Sequence, residues 1–436
     1  MNDLSNPPWE ILSHESAKMI DLVLKSATLP NGRVADISIS EGVIMHIGSS
    51  SSAEQVINCH NHLCVPAAMD AHVHMRDGTQ ARKEDWATGS QAAVAGGVAA
   101  VVDQPNTVPP IETVECFIKW VKYAKEKSFC HFAINGGVTK TADLPGMYYA
   151  GALAFGEMFV AHSSYSSAIT PDFIRSALTT ISNLGALTTV HAEEVRPREV
   201  HTLAEHATSR PISGEASAVE MMNSIAPIGA RLHFCHMSGA ASISRVMRRQ
   251  ENSFEVTPHH LFLSWEEHEC SDTRFRMNPP LRTKAERMEL WKMFDSIPVI
   301  ASDHAPHTLS EKLHEFASTP AGIPGVETML PLLMNEVFSG RISLSSLLEK
   351  TVNGPYSTFC LIAPEIAIGK RADLAVYKDQ PEKISAENLH SKCEWTPYEG
   401  LNGIFPETTI VEGTAVWHKG EFNKGRIQWL AGSGKI

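Results

Sequence analysis

The chain has 436 residues, 43% hydrophobic and 20% charged, with 37 Lys and Arg against 49 Asp and Glu for a net charge of −12. That length exceeds what one ordinary core supports, so one large barrel-type domain or two domains are expected, and the apolar content excludes a wholly disordered chain. Net acidity without a Lys/Arg block argues against nucleic-acid binding, and the longest apolar runs are strand-sized, too short to span a membrane.

In chain order, the N-terminus, MNDLSNPPWEILSHESAKM, lacks a basic stretch followed by an apolar core and does not read as a secretory signal; no role is evident for its first 18 residues. Residues 20–48 alternate apolar and polar side chains around an Asn31-Gly32 turn signal, which predicts a hairpin. Eight short β-branched or apolar runs then follow, at 63–75, 98–106, 129–136, 152–160, 187–193, 231–238, 254–261 and 298–306. Near-continuous apolar runs fit strands buried on both faces of a parallel sheet. The segments between them read as helices. Pro110-Ile111 opens one with Ile111, Val114, Ile118 and Val121 as its stripe, and Thr170 caps another that starts at Pro171 and ends near Gly185. After the seventh run a long loop precedes a helix at 284–294. Period-two patterning returns at 372–378 and 408–422.

Eight β→α alternations predict an α/β fold, a (β/α)8 TIM-type barrel over 63–350. Residues 1–62 and 351–436 are expected to build a small β-sandwich beside it. The eight cysteines include no CxxC pair and read as buried apolar residues of a reducing compartment, so a cytoplasmic location is expected.

The informative feature is where histidines and acids fall, because chemistry in such a barrel belongs at the C-terminal ends of the strands. The first strand ends in His72-Val73-His74, the fourth carries Glu157, the fifth ends at His191, the sixth at His236 and the eighth at Asp303. The period of two puts both imidazoles of the HxH pair on one strand face. Four imidazoles and two carboxylates suffice for two divalent ions sharing a bridging carboxylate, which would acidify a water between them. Asp303 could both ligate and shuttle the proton. This donor set suits zinc best, and manganese or cobalt also fit. An HxH pair alone signals little; the coincidence of ligand types at five strand ends carries the argument. His131 and His233 lie inside strands and read as satisfied core histidines, as do His60 and His62. His259 and His260, placed at the end of the seventh strand, receive no role.

These residues resemble the amidohydrolase superfamily and, within it, the cyclic-amide hydrolases of the longer, type I dihydroorotase kind. The resemblance rests on DAHVHMRDG (70–78), the 82–110 stretch ending PNTVPP, VHAEE (190–194), VTPHHLFLS (256–264), MNPPLR (277–282), ASDHAPHTLSEK (301–312), GIPGVETMLPLL (322–333) and SKCEWTPYEG (391–400). It covers nearly all of 20–420.

It implies that His72 and His74 hold the more buried ion with Asp303, and His191 and His236 the other. Arg76, Asn106 and His307 would hold a substrate carboxylate, while Asn278 and the backbone of Ala321 and Gly322 would contact the ring. The implied activity is reversible cyclisation of N-carbamoyl-L-aspartate to L-dihydroorotate in pyrimidine (UMP) biosynthesis. Arg76 suits its role on physical grounds, since the guanidinium fork matches a carboxylate. Three departures stand out. Many relatives bridge the metals with a carboxylated lysine, but no lysine occurs between Lys140 and Lys284, and Glu157 takes the aligned position. Ala67 replaces a usual glycine, and RDGTQARKED varies a usual turn.

Other cyclic-amide hydrolases, such as allantoinase or dihydropyrimidinase, act on rings without this carboxylate and would leave Arg76, Asn106 and His307 without purpose. A non-catalytic scaffold barrel predicts missing ligands, whereas every ligand type is present. The expected partner is a small-molecule substrate, with a homo-oligomer left open and neither nucleic acid nor membrane involved. The segments 135–150 and 307–325 are candidates for a closing loop.

Overall fold

The computed structural model describes residues 20–50, 52–160 and 170–436, so the first 18 residues lie outside the described part. Eight parallel strands form the barrel: Ala68–Val73, Val98–Asp103, His131–Ile134, Phe155–Phe159, Leu187–His191, Arg231–Phe234, Asn252–Val256 and Val299–Ile300. The first three strands make one arc and the last five another. Single bridges, Gly136 to Phe155 and Val73 to His304, join the arcs. Most strand residues are buried on both faces, as their unbroken apolar runs require.

The helix that begins at Pro171 runs to Asn183 with Thr170 as its cap, and buries Ile174, Ala177, Leu178 and Ile181. The one expected from Pro110 starts later, at Val114–Lys127 behind a Thr113 cap. Its buried stripe is Phe117, Trp120, Val121 and Ala124, and Ile118 faces solvent, because the larger aromatic surface takes the sheet-facing side. The helix after the long loop spans Lys284–Lys292, closed by a capping box between Thr283 and Glu286.

The run at 63–75 divides. Leu63–Pro66 pairs antiparallel with Leu374–Tyr377 in the terminal sheet, and the barrel begins only at Ala68. That pairing is where the two ends of the chain meet in one nine-stranded sheet. Leu22, Leu24, Ile37 and Ile39 from the N-terminal side share an apolar core with Leu374 and Ile410 from the C-terminal side. Residues beyond 350 also serve the barrel, since Tyr356 and Phe359 pack with Met69 and Val299. The C-terminal tail pairs with the third strand, where Leu430 donates to the Phe132 carbonyl at 2.8 Å. Part of the 135–150 segment is a helix, Leu144–Ala150. Among the described residues no helix is long and apolar enough to cross a membrane.

Candidate active site

A cavity of about 540 Å³ opens where the strands end. All the site residues expected from the sequence line it except His72, which lies fully buried beneath. The HxH pair behaves as its spacing predicts: His72 Nε2 and His74 Nε2 approach the same Asp303 oxygen, at 3.5 and 3.2 Å. Glu157 lies opposite. One of its oxygens sits 2.8 Å from His191 Nδ1 and 2.8 Å from His236 Nε2, and the other 3.9 Å from His72 Nε2. His72, His74 and Glu157 therefore form one ligand group, and Glu157, His191 and His236 a second, with Glu157 common to both.

This donor set fits divalent metal ions. His72 Nε2 is buried with no hydrogen-bond partner while two carboxylates stand within 4 Å, and imidazole with carboxylate is the ligand chemistry of zinc and its neighbours. The charges are mutually adjusted. Burial opposes ionisation of Glu157, but hydrogen bonds from His191 and His236 hold its carboxyl well below the usual range. Burial likewise opposes ionisation of Asp303, yet His72 and His74 pull it down to about 2. For His191 burial disfavours the cation, and hydrogen bonds to Glu157 and Glu193 prevail, raising it to about 9.

The strands end sooner than their sequence runs, so several functional groups sit on turns rather than in the ladder. His236 lies two residues beyond the sixth strand and Asp303 three beyond the eighth, with φ of 39° and 47°. Arg76, expected on the first strand, lies past its end with φ of 58°. Left-handed backbone at non-glycine residues costs roughly 1–3 kcal/mol and concentrates at functional sites.

Sequence reasoning missed the supports. Glu255, on the seventh strand, accepts from His72 Nδ1 at 2.6 Å and from His233 Nε2 at 3.0 Å. That bond directs Nε2 of His72 toward the ligand group. Glu193 meets His191 Nε2 at 2.7 Å and is itself paired with Arg210. His206 Nε2 lies 3.0 Å from Asn278 Oδ1 and fixes that side chain. An acid set within the strand-like run at 254–261 was the available signal for Glu255.

His131 and His233 are satisfied buried histidines, bound to Asp373 and to Ser253 with Glu255. His60 is exposed and His62 half-buried against Glu407, so neither is a core residue, because both lie on the turn between two strands of the terminal sheet. His259 and His260 belong to a helix, Pro258–Phe262, not to the end of the seventh strand, since Pro258 starts a helical turn there.

On the opposite side the cavity is basic. Arg76 is buried, and among the described residues no carboxylate lies within ion-pairing distance of it; its Nε has no partner. His307 Nδ1 receives Lys83 Nζ at 3.2 Å, so Nε2 carries the proton and donates to the Ala321 carbonyl at 3.1 Å. The Arg76 guanidinium, 3.4 Å from that Nε2, therefore keeps its N–H groups for a ligand. Asn106 has its Nδ2 3.5 Å from Glu157 and its Oδ1 free of partners.

No family model matches the chain. It is 38% identical over 434 residues to a dihydroorotase of Methanosarcina acetivorans, a match spanning 92% of this chain and 93% of the relative. A dihydroorotase of Halobacterium salinarum is 36% identical over 406 residues, 91% of this chain and 96% of the relative. Among solved structures, L-hydantoinase (dihydropyrimidinase) from Arthrobacter aurescens has a TM-score of 0.86 at 24% identity, over 94% of this chain and 99% of that one. A D-hydantoinase has a TM-score of 0.81 at 23% identity, over 94% of this chain and 100% of that one. The last two likenesses support the barrel fold. Identity of this extent to curated relatives spanning nearly the whole length places the sequence: the chain belongs to the dihydroorotase family.

Proposed function

We propose that the protein is a zinc-dependent dihydroorotase that interconverts N-carbamoyl-L-aspartate and L-dihydroorotate, a step of pyrimidine biosynthesis. The observation that carries this is Arg76, a buried guanidinium with no carboxylate partner among the described residues, facing the same cavity as two histidine–carboxylate groups. A ring bearing a carboxylate supplies the missing anion; allantoin and dihydrouracil do not.

His72, His74 and Asp303 would hold one ion and His191 and His236 the other, with Glu157 between them. When bound, such ions acidify water and polarise a carbonyl. In ring opening, Asp303, ionised at neutral pH, takes the proton of the attacking water and delivers it to the ring nitrogen as the C–N bond breaks. In cyclisation Asp303 takes the proton of the attacking ureido nitrogen as the C–N bond forms and passes it to the departing hydroxyl of the carboxylic acid, which leaves as water. Arg76 and Asn106 orient the substrate carboxylate, joined by His307 when its Nε2–H turns from the Ala321 carbonyl to the ligand, and Asn278 with the backbone of Ala321 and Gly322 contacts the ring. Glu157 takes the place of a carboxylated lysine and needs no carbon dioxide to carry its charge. All eight cysteines are free, which fits a cytoplasmic enzyme.

The test is ring opening of L-dihydroorotate by metal-analysed protein, with allantoin and dihydrouracil as controls. Selective turnover with close to two zinc ions per chain is expected. Turnover with one ion would keep the activity and discard the two-ion mechanism, and faster turnover of a control ring would overturn the substrate assignment.

A further inference from the structure

Lys312 is the only lysine among the largest fully buried side chains of the described residues, with no exposed surface. No carboxylate lies within ion-pairing distance of it among those residues. A buried ammonium without a counter-ion is costly unless its donors are satisfied. Here they are: Nζ donates to the carbonyls of Arg276 at 2.8 Å, Pro320 at 3.0 Å and Gly322 at 3.1 Å, one acceptor for each N–H. The ring of Trp395 lies 5.8 Å from Nζ. Burial and the charge of Arg276 push the ammonium down to about 7, against the more distant negative charge of Asp272.

The three carbonyls come from the two chain stretches that form one wall of the cavity. Arg276 and Asn278 stand on the first, and Ala321 and Gly322 on the second. The stretches also meet directly, where Gly322 donates its N–H to the Arg276 carbonyl at 3.2 Å. Gly322 has φ of 129°, and a Cβ there would come 2.5 Å from the Ala305 carbonyl, so only glycine allows this approach. Trp395 Nε1 donates to the His307 carbonyl at 2.8 Å and ties down the start of the segment. A closing lid is built from weakly held backbone; this segment is pinned at His307, Lys312, Pro320 and Gly322.

We propose that Lys312 is a positioning residue for the reaction: its ammonium gathers three backbone carbonyls and so fixes the wall that contacts the substrate ring, making 307–325 a rigid wall rather than a lid. The inference rests on the assignment of Ala321 and Gly322 as ring contacts.

It is tested first on the wild-type, metal-loaded enzyme by trace acetylation of lysines, read by mass spectrometry with and without L-dihydroorotate. Lys312 is expected to react at least about 100-fold more slowly than exposed Lys122, at a rate unaffected by the ligand. Reaction at the surface rate, or protection that appears only with the ligand, would overturn the proposal. The second test is Lys312→Met. Its KM for L-dihydroorotate should rise about 10-fold or more with kcat within about 3-fold, metal content unchanged, and amide exchange accelerated in 318–325 but not in the fifth strand. Wild-type KM and exchange, or metal loss with exchange accelerated throughout, would also sink it. If L-dihydroorotate proves not to be a substrate, the functional reading fails alone, because labelling without ligand and local exchange still judge the clamp.

Discussion

The floor and the rim of the cavity are built on opposite electrostatic plans. On the floor, imidazoles stand against carboxylates: Glu157 faces His191 and His236, Asp303 faces His72 and His74, and Glu255 and Glu193 back His72 and His191. On the rim, Arg76 and Arg276 are cations with no carboxylate in reach among the described residues, and each has an unpartnered Nε. On the proposed function, cations take the place of protons on the floor and an anion takes the place of water at the rim. Cost and consequence differ accordingly. A lesion in the floor should appear in metal content, and a lesion in the rim in substrate affinity.

The largest effect that would break this division lies in the floor. Glu157→Ala removes the carboxylate common to both ligand groups, so metal affinity should fall by more than the ~100-fold that a supporting partner is worth, and turnover should vanish with it. Normal zinc content by elemental analysis in an active Glu157→Ala enzyme would remove Glu157 from the bridge. In the rim, Arg76→Met should raise KM roughly 10- to 100-fold, the worth of a charge-assisted pair, while zinc stays bound. Loss of zinc in that variant would mean that the two regions are not separable.

Smaller changes sharpen the comparison. Glu255→Gln keeps the shape behind His72 but weakens its hold on the imidazole, and should lower metal affinity by about 10-fold, at the mild end for such supports, in a chelator competition. The mildest prediction concerns protons. In the metal-free protein His191 is raised from 6.5 to about 9: burial opposes the cation, and Glu157 and Glu193 outweigh it. A raised folded-state value contributes stability that is complete below about 6.5 and disappears as pH rises through about 9. A divalent ion held by His191 must displace this proton, so zinc binding near neutral pH should release protons, with affinity climbing as pH rises toward that value. Titration calorimetry in buffers of different ionisation heat checks this, and a buffer-independent heat would contradict it.

Much of this was legible because two periodicities are local. Alternation along strands put His72 and His74 on one face, and unbroken apolar runs marked parallel strands whose ends carry chemistry. Other positions were misjudged for physical reasons. The ladder stops before His236, Asp303 and Arg76, and their left-handed turns, not strand alternation, aim them inward. The run at 63–75 reads as one strand because both of its halves are apolar, although they pair with different sheets.

The sequence by itself determined the architecture, the ligand types and the missing lysine of the fourth strand, since these depend on residue identity and short-range spacing. Only the tertiary structure decided that Glu157 lies between the two histidine groups, that Glu255 stands behind His72, and that Lys312 finds three carbonyls instead of an acid. Those contacts join side chains and backbone from separate strands and loops, and their distances are set by how the barrel closes, which no local pattern encodes.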